Sequence, residues 1–190
     1  YAPLQQYGLR LRVVDVELDT LNVDVSQLEI TNRTRLLVGV SILGNPAPLD
    51  KLRAFADKHG LWFLEDNCES MGATLNGKQA GTFGDIGTYS LFFSHHLNTI
   101  EGGVMVTDER EIYERALCLR EHGWTRALRP DGGRYEFAFP GYNLRPTEIT
   151  AAVGLVQLAK LPAQLAQRRR NAAIFRELFK DSGYLLQRET

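Results

Sequence analysis

Short apolar runs rich in β-branched residues alternate with amphipathic segments along most of this sequence. The alternation constrains the fold more than any other feature, because strands and helices at this spacing form a mostly parallel sheet flanked by helices. We therefore predict an α/β fold. The predicted strands are 10–16, 35–43, 61–66, 87–92 and 103–106.

The segments between and after these strands have helical periodicity. The predicted helices are 48–60, 109–122 and a long stretch after Pro146. Asp108 and Glu111 form a capping-box pattern at the start of the second helix. We expect Pro162 to bend or break the third helix, and the sequence Pro-Asp-Gly-Gly at 130–133 predicts a turn.

Charge and cysteine content exclude several classes of protein. The chain has 190 residues and a formal net charge of −1, so we expect neither nucleic acid nor an anionic membrane as a partner. We find no apolar run that approaches the roughly 18 residues needed to cross a bilayer. Cys68 and Cys118 are too few for a disulfide framework, which favours a cytoplasmic protein with free thiols. The arginines at 168–170 point in different directions on a helix and predict a solvated face.

Two polar clusters follow predicted strands, where open α/β sheets bind ligands. Asp66 ends an apolar strand, where a carboxylate needs a cationic or hydrogen-bonding partner. A protonated pyridine nitrogen is such a partner, and a cap on a neighbouring loop is the alternative. Ser90 ends another strand, where its hydroxyl can donate to a phosphate. His95 and His96 follow, but an adjacent pair without spaced ligands does not predict a metal site, and a surface or core pair is the alternative.

A third cluster lies in the segments 122–126 and 141–146. Arg126 and Arg145 are candidates for binding carboxylate or phosphate groups, because a guanidinium offers a bidentate fork. Asn143 and Arg145 precede a predicted helix N-terminus, which favours anions. Taken singly, each arginine is more typical of a surface ion pair.

Together, in order and spacing, these clusters resemble the DegT/DnrJ/EryC1/StrS family of PLP-dependent sugar enzymes. The resemblance runs from about Val13 to about Asn171 and implies the large domain of the aspartate aminotransferase (type I PLP) fold. Asp66 is followed three residues later by Glu69, where the family has Gln or His. Ser90 stands five residues before the position of the PLP lysine. The motif Glu101-Gly102-Gly103 follows, and Asn143-Leu144-Arg145 precedes a helix rich in Ala and Leu.

His95 stands at the position where the family has its PLP lysine. Imidazole cannot form the Schiff base that an aminotransferase uses, although it can move protons near neutral pH. The substitution resembles one branch of the family, whose members remove a sugar hydroxyl and install no amine. A neighbouring branch carries an iron–sulfur cluster, which usually needs four thiolates. All lysines of the chain lie outside the motif: Lys51, Lys58, Lys78, Lys160 and Lys180.

The resemblance to this branch implies a PLP- and PMP-dependent 3-dehydratase. Such an enzyme removes the C3 hydroxyl of a GDP-linked 4-keto-6-deoxy-hexose in the biosynthesis of colitose-type O-antigen sugars, with L-glutamate regenerating PMP. The implied protein is a cytoplasmic homodimer that needs no metal, membrane or nucleic acid. The implied site residues are His95 as the catalytic residue; Asp66, Glu69, Ser90 and Asn143 toward the cofactor; and His122, Arg126 and Arg145 toward the substrates, with Asn143 and Arg145 acting across the dimer interface.

The resemblance also implies a longer protein. Residues 1–145 correspond to a cofactor-binding large domain, without the N-terminal segment that carries a phosphate loop and a ring-stacking aromatic residue. Residues 146–190 correspond to a helical segment leading to a small C-terminal domain. Two alternatives stay open: a nucleotide-sugar aminotransferase with a displaced lysine, and a non-catalytic PLP-binding relative. The absence of a lysine near His95 counts against the first, and the presence of the other site residues counts against the second.

Overall fold

A four-stranded sheet organises the protein in the computed structural model, which describes residues 2–129 and 134–190. Its strand order is β1-β2-β5-β6. The first three of these strands run parallel, and β6 pairs antiparallel with β5. The predicted α/β class with a mostly parallel sheet is therefore confirmed, while the predicted turn at 130–133 lies outside the described residues. The strands are β1 (Leu36–Val40), β2 (Trp62–Asp66), β3 (Thr74–Leu75), β4 (Lys78–Gln79), β5 (Ile86–Ser90) and β6 (Gly103–Val106).

Four α-helices accompany the sheet in the described part of the chain, and α2 shows why this sequence forms them. Leu49, Leu52 and Ala56 lie on one face of α2 and are completely buried. Gly60 ends the helix in the left-handed conformation, with φ of 62°, and its N–H donates to the carbonyls of the last turn. The helices are α1 (Ala2–Gln6), α2 (Leu49–His59), α3 (Arg110–Arg120) and α4 (Glu148–Phe179).

The core lies between α2 and the sheet. Phe63 of β2 is completely buried against the apolar face of α2. Gly39 of β1 permits this close packing, because a Cβ there would lie 2.8 Å from Leu52 Cδ1 and 3.1 Å from the Phe63 ring. The packing fixes β2, and therefore fixes the residues at its carboxyl end.

Two of the sequence predictions are wrong in detail. The segment 10–16 is not a strand, because only Val16 makes a bridge, to Val23, and no neighbouring strand continues the ladder. The predicted capping box does not start α3. The residue before the helix is Glu109, whose side chain makes no capping hydrogen bond, and Thr107 Oγ1 accepts the Glu109 N–H instead.

Helix α4 runs for 32 residues without a break at Pro162, contrary to our expectation. Proline removes one backbone hydrogen bond. Contacts between α4 and the loop after β2 offset this loss. Leu165 packs against the backbone of Gly72, and Arg169 donates to the Gly72 carbonyl at 2.9 Å. The helix is therefore held against the loop that follows β2.

The length and composition of α4 also meet the criteria for crossing a membrane. It contains an 18-residue window with a mean hydropathy of 1.3, and no residue of that window is buried. The expectation that no stretch reaches this length is therefore wrong for α4. Several apolar side chains are exposed along it, including Ile149 and Leu155 at 72% each.

Candidate functional site

The carboxyl ends of β2 and β5 bring two of the predicted site residues to the same edge of the sheet. Asp66 is the last residue of β2 and pairs with Thr88 of β5. Ser90 is the last residue of β5, two positions further along. Because neighbouring parallel strands end at one edge, the candidate site lies where open α/β sheets bind ligands.

Asp66 is half-buried and held by the residue two positions later. The Cys68 N–H donates to Asp66 Oδ1 at 3.1 Å, and the Cys68 thiol also hydrogen-bonds the carboxylate. Burial, followed by this contact and the charges of Asp66 and Glu69, raises the pKa of the Cys68 thiol to about 12. Cys68 is thus a neutral hydrogen-bond donor to Asp66. Within residues 2–129 and 134–190, no basic side chain forms an ion pair with Asp66.

The neighbouring acid, Glu65, points to the opposite face of the sheet, since successive strand residues alternate. It is completely buried. Its carboxylate accepts the N–H groups of Gly81 at 2.6 Å and of Phe83 and Gly84 at 2.5 Å each. Glu65 therefore holds the loop before β5, a role that sequence reasoning missed.

Glu69 lies on the loop after β2 and contacts the loop after β1. Its Oε2 accepts the Leu43 N–H at 2.8 Å. Leu43 has a positive φ of 54°, which is uncommon for a leucine. The Glu69 carboxylate thus stabilises the loop after β1 at the sheet edge, a contact that its predicted role toward the cofactor did not include.

A tight turn after β5 positions His95. Ser90 Oγ accepts the Phe92 N–H at 3.1 Å, and the His95 N–H donates to the Phe92 carbonyl at 3.0 Å. The rings of Phe92 and His95 meet edge to face, with centroids 6.1 Å apart. His95 is half-buried, and its imidazole makes no hydrogen bond to another side chain or to backbone in the described part of the chain. The imidazole is therefore available to a ligand.

His96 is half-buried, like His95, and lies near Arg168 of α4. Its Nδ1 is buried and has no hydrogen-bond partner among the described residues. Burial, followed by the nearby charges of Arg168 and His95, lowers the pKa of His96, against an opposing effect of Glu69. Arg168 thus lies close enough to act on His96, and Arg169 binds the Gly72 carbonyl. All three arginines of the run 168–170 are exposed, as predicted, and Arg169 in addition binds the loop after β2.

The remaining predicted residues form a second group beyond α3. Asn143 pairs with Glu121 in a β-bridge, and the His122 N–H donates to the Tyr142 carbonyl at 2.7 Å. Arg145 donates to Asn143 Oδ1 at 3.3 Å and lies 3.6 Å from Glu121 Oε1. Arg145 thus does form the surface ion pair that was the alternative for a single arginine.

Arg126 belongs to the same group but has a different partner. Its guanidinium lies over the Trp124 ring, 5.1 Å from the centroid. The sequence analysis included Trp124 in the cluster 122–126 but gave it no role of its own. Within the described residues, 2–129 and 134–190, no hydrogen bond or ion pair joins this second group to Asp66, Ser90 or His95.

The residues at the sheet edge fit a pyridoxal-type cofactor. Asp66 is a partly buried carboxylate with no cationic partner in the described ranges, which suits a protonated pyridine nitrogen. Ser90 offers a hydroxyl at a strand end. None of the five lysines of the chain forms a hydrogen bond or ion pair with Asp66, Ser90 or His95 in the described ranges, so the donor set suits a cofactor held without a covalent bond.

Comparisons with known proteins agree with this geometry. The model of the DegT/DnrJ/EryC1/StrS aminotransferase family matches residues 1–190. GDP-4-keto-6-deoxy-D-mannose 3-dehydratase of Yersinia pseudotuberculosis is 47% identical over 205 residues, which cover 100% of this chain and 52% of that protein. The chain therefore spans about half the length of this curated relative.

Solved structures give the same result. E. coli GDP-4-keto-6-deoxy-D-mannose-3-dehydratase with bound hydrated PLP matches with a TM-score of 0.93 at 47% identity, covering 100% of this chain and 53% of that one. GDP-4-keto-6-deoxymannose-3-dehydratase with a trapped PLP-glutamate geminal diamine matches with a TM-score of 0.94 at 46% identity and the same coverage. The predicted fold, that of PLP-dependent sugar aminotransferases and dehydratases, is confirmed.

Proposed function

The chain belongs to the DegT/DnrJ/EryC1/StrS aminotransferase family, and from this premise we propose that the full-length protein is a PLP- and PMP-dependent nucleotide-sugar 3-dehydratase. Its proposed substrate is a GDP-linked 4-keto-6-deoxy-hexose, from which it removes the C3 hydroxyl in deoxysugar and O-antigen biosynthesis. The identity of 47% to GDP-4-keto-6-deoxy-D-mannose 3-dehydratase supports this substrate.

The observation that carries the proposal is the position of His95. Its half-buried imidazole follows Ser90 in a turn at the sheet edge, where relatives that transfer amines have a lysine. No lysine forms a hydrogen bond or ion pair with Asp66, Ser90 or His95 within 2–129 and 134–190. A site with a histidine in place of this lysine cannot anchor the cofactor covalently, which favours deoxygenation over amine transfer.

Four residues are proposed to bind the cofactor. Asp66 keeps the ring nitrogen protonated, and Cys68 keeps Asp66 in place through its thiol and its N–H. Glu69 binds the ring hydroxyl. Ser90 and Asn143 bind the phosphate. Asn143 does so from a second subunit, which agrees with its position in the second group of residues beyond α3. When bound, the cofactor supplies an amine for the C4 ketone of the sugar and an electron-withdrawing ring.

His95 is proposed to move the proton that deoxygenation requires. Its imidazole accepts a proton beside the cofactor ring and delivers it to the C3 hydroxyl oxygen, which leaves as water. One imidazole can serve as base and acid in turn because its two forms have similar free energies near neutral pH. The phenyl ring of Phe92 packs against His95 edge to face and limits its rotation.

L-Glutamate is proposed to restore the amine form of the cofactor. The solved structure with a PLP-glutamate adduct supports this donor. Arg126, with Arg145 from the second subunit, binds the carboxylates of glutamate, and His122 orients a substrate hydroxyl. The overall reaction balances, since the sugar loses one oxygen atom while glutamate becomes 2-oxoglutarate and ammonia.

The remaining features of the proposal concern the whole protein. Residues 1–145 form the cofactor-binding part of a large domain, and 146–190 connect it to a smaller C-terminal domain. A second subunit or the C-terminal domain covers the exposed apolar side of α4, in place of lipid. The protein acts in the cytoplasm, where nucleotide-linked sugars and glutamate are available, and it uses neither a metal nor nucleic acid.

The test uses the full-length protein with PLP, glutamate and GDP-4-keto-6-deoxy-D-mannose. We expect equal amounts of ammonia and 2-oxoglutarate, and a sugar product that has lost the C3 oxygen by mass spectrometry. An amino sugar without ammonia would instead indicate the aminotransferase. A protein that changes cofactor absorbance on binding but turns over neither substrate would be the non-catalytic relative.

A further inference from the structure

One face of the Arg126 guanidinium packs against an aromatic ring. Its central carbon lies 5.1 Å from the centroid of the Trp124 ring, within the range of about 6 Å over which a cation is attracted to an aromatic face. Tryptophan gives the strongest such attraction of the aromatic side chains. The contact therefore restrains a side chain that is otherwise exposed.

The indole is itself fixed by an aromatic stack. The Tyr135 ring is nearly parallel to it, with centroids 5.5 Å apart and an interplanar angle of 6°. Phe137 stacks at 6.0 Å and pairs with Trp124 in a β-bridge. The Ala138 N–H donates to the Gly123 carbonyl at 2.9 Å, which continues the pairing. We call residues 123–125 and 136–138 the arm; the arm gives Trp124 a defined orientation.

Stacking leaves the hydrogen-bonding edge of Arg126 open. All five N–H donors of a guanidinium lie in its plane, so a contact on the face uses none of them. Within residues 2–129 and 134–190, Arg126 has no hydrogen-bond acceptor and no ion-pair partner. Other arginines of this region differ, since Arg129 pairs with Glu136 at 2.9 Å and Arg145 with Glu121 at 3.6 Å.

We propose that Trp124 is a positioning residue for Arg126, presenting its open N–H edge to a carboxylate group of the amino donor. The inference rests on the proposed function, which assigns glutamate to Arg126. A guanidinium already ordered against a ring loses less conformational freedom when it binds a carboxylate. We therefore expect Trp124 to raise the affinity for the donor acid through Arg126 and to leave the affinity for the sugar unchanged.

The first experiment measures Trp124→Leu in the full-length PLP-loaded protein. We expect the KM for glutamate to rise about fivefold to thirtyfold, with the KM for the nucleotide sugar unchanged. The Kd of glutarate, a dicarboxylate with no amine to transfer, should rise by the same factor in calorimetry. Trp124→Tyr keeps an aromatic face and should recover most of the affinity. Trp62→Leu is the control, because Trp62 is an exposed tryptophan with no arginine over its ring within residues 2–129 and 134–190.

The second experiment separates positioning from general damage to the fold. In an Arg126→Ala background, Trp124→Leu should cause no further loss of glutarate affinity, since the two residues act as one unit. Equal glutarate Kd values for Trp124→Leu and wild type would overturn the inference. A loss that persists in the Arg126→Ala background would also overturn it. A wild-type protein that does not bind glutarate would contradict the glutamate step of the proposed function itself, before any substitution is made.

Discussion

Two adjacent acids at the end of β2 have different partners because they face opposite sides of the sheet. Three backbone N–H groups donate to the Glu65 carboxylate, while the Asp66 carboxylate accepts hydrogen bonds only from Cys68 in the described ranges. Sequence reasoning found Asp66 because it ends an apolar run. It missed Glu65 because the amides that bind it come from residues 81–84, and their approach depends on tertiary packing.

Glu65→Gln should destabilise the fold strongly. The amide of glutamine places donors against backbone N–H groups in a fully buried site, and we expect a loss of about 2–4 kcal/mol in the free energy of unfolding. Chemical denaturation of the full-length protein measures the loss. Glu111→Gln on the exposed side of α3 is the control and should change stability by less than about 0.5 kcal/mol. Equal stability of the two variants would show that Glu65 does not hold the loop.

His95 can be tested by two substitutions with opposite effects on the cofactor. His95→Asn should retain PLP, measured by its absorbance, and lose deoxygenation by about 10²–10⁴-fold, the usual contribution of a positioned acid–base group. His95→Lys should create a covalent link to PLP that borohydride traps as a mass increase. Full activity of His95→Asn would exclude the role, and an untrappable His95→Lys would show that residue 95 does not face the cofactor.

Cys68 should react slowly with alkylating reagents. Its pKa is raised from 9.0 to about 12, so at pH 9 the thiolate fraction is about 500-fold smaller than that of an ordinary thiol. Because the folded state favours the protonated thiol, Cys68 contributes to the free energy of unfolding. This contribution is fully present below pH 9 and is lost as the pH rises through the folded-state pKa of about 12. Peptide mapping after iodoacetamide treatment measures the rate separately from Cys118. Asp66→Asn should speed the reaction, and an unchanged rate would exclude the thiol–carboxylate contact.

At the scale of elements, the chain reversal after α3 builds the second group of site residues. The sequence predicted α3 to residue 122, but the helix ends at Arg120 because the Gly123 N–H turns back to the Cys118 carbonyl at 2.7 Å. The strands β2, β5 and β6 were predicted within two residues of their ends, since their apolar runs are distinct. Helix ends depend on local turns and on partners distant in sequence, which a single sequence does not display.

Gly123 should tolerate no side chain. It has a φ of 86°, and a Cβ would lie 1.6 Å from the Phe139 carbonyl oxygen. We expect Gly123→Ala to cost about 2–4 kcal/mol of stability and to weaken glutarate binding, because the arm shifts. Gly77→Ala is a matched control, since Gly77 has a similar φ of 78° and open space around it; it should cost about 1–2 kcal/mol. Similar losses in both variants would mean that crowding at Gly123 is unimportant.

At the scale of the molecule, the chain leaves large apolar surfaces exposed. The fold class, the sheet edge and the family were all predictable, because strand ends and motif spacing are local properties of the sequence. The cover that we propose for α4 was not, because the sequence of a helix does not display the surface that packs against it. The curated relatives are about twice as long, which provides enough chain for such a cover.

Leu155→Asp tests whether α4 is covered in the full-length protein. Leu155 is 72% exposed here, so the substitution should be nearly neutral if this surface meets water. We expect instead a loss of more than about 2 kcal/mol or dissociation of the oligomer, because a carboxylate would be buried against apolar atoms. Light scattering and denaturation measure the two effects. Gln167→Asp on the same helix controls for helix propensity, and equal behaviour of the two variants would contradict the covering of α4.

The hydrogen bonds by which Glu65 holds the loop before β5 involve only groups of the polypeptide. We therefore expect this loop to keep its shape whether or not a coenzyme derived from vitamin B6 is bound. In a cell short of that vitamin, we expect the apoprotein to stay folded and resistant to proteolysis, ready to become active as soon as the supply returns.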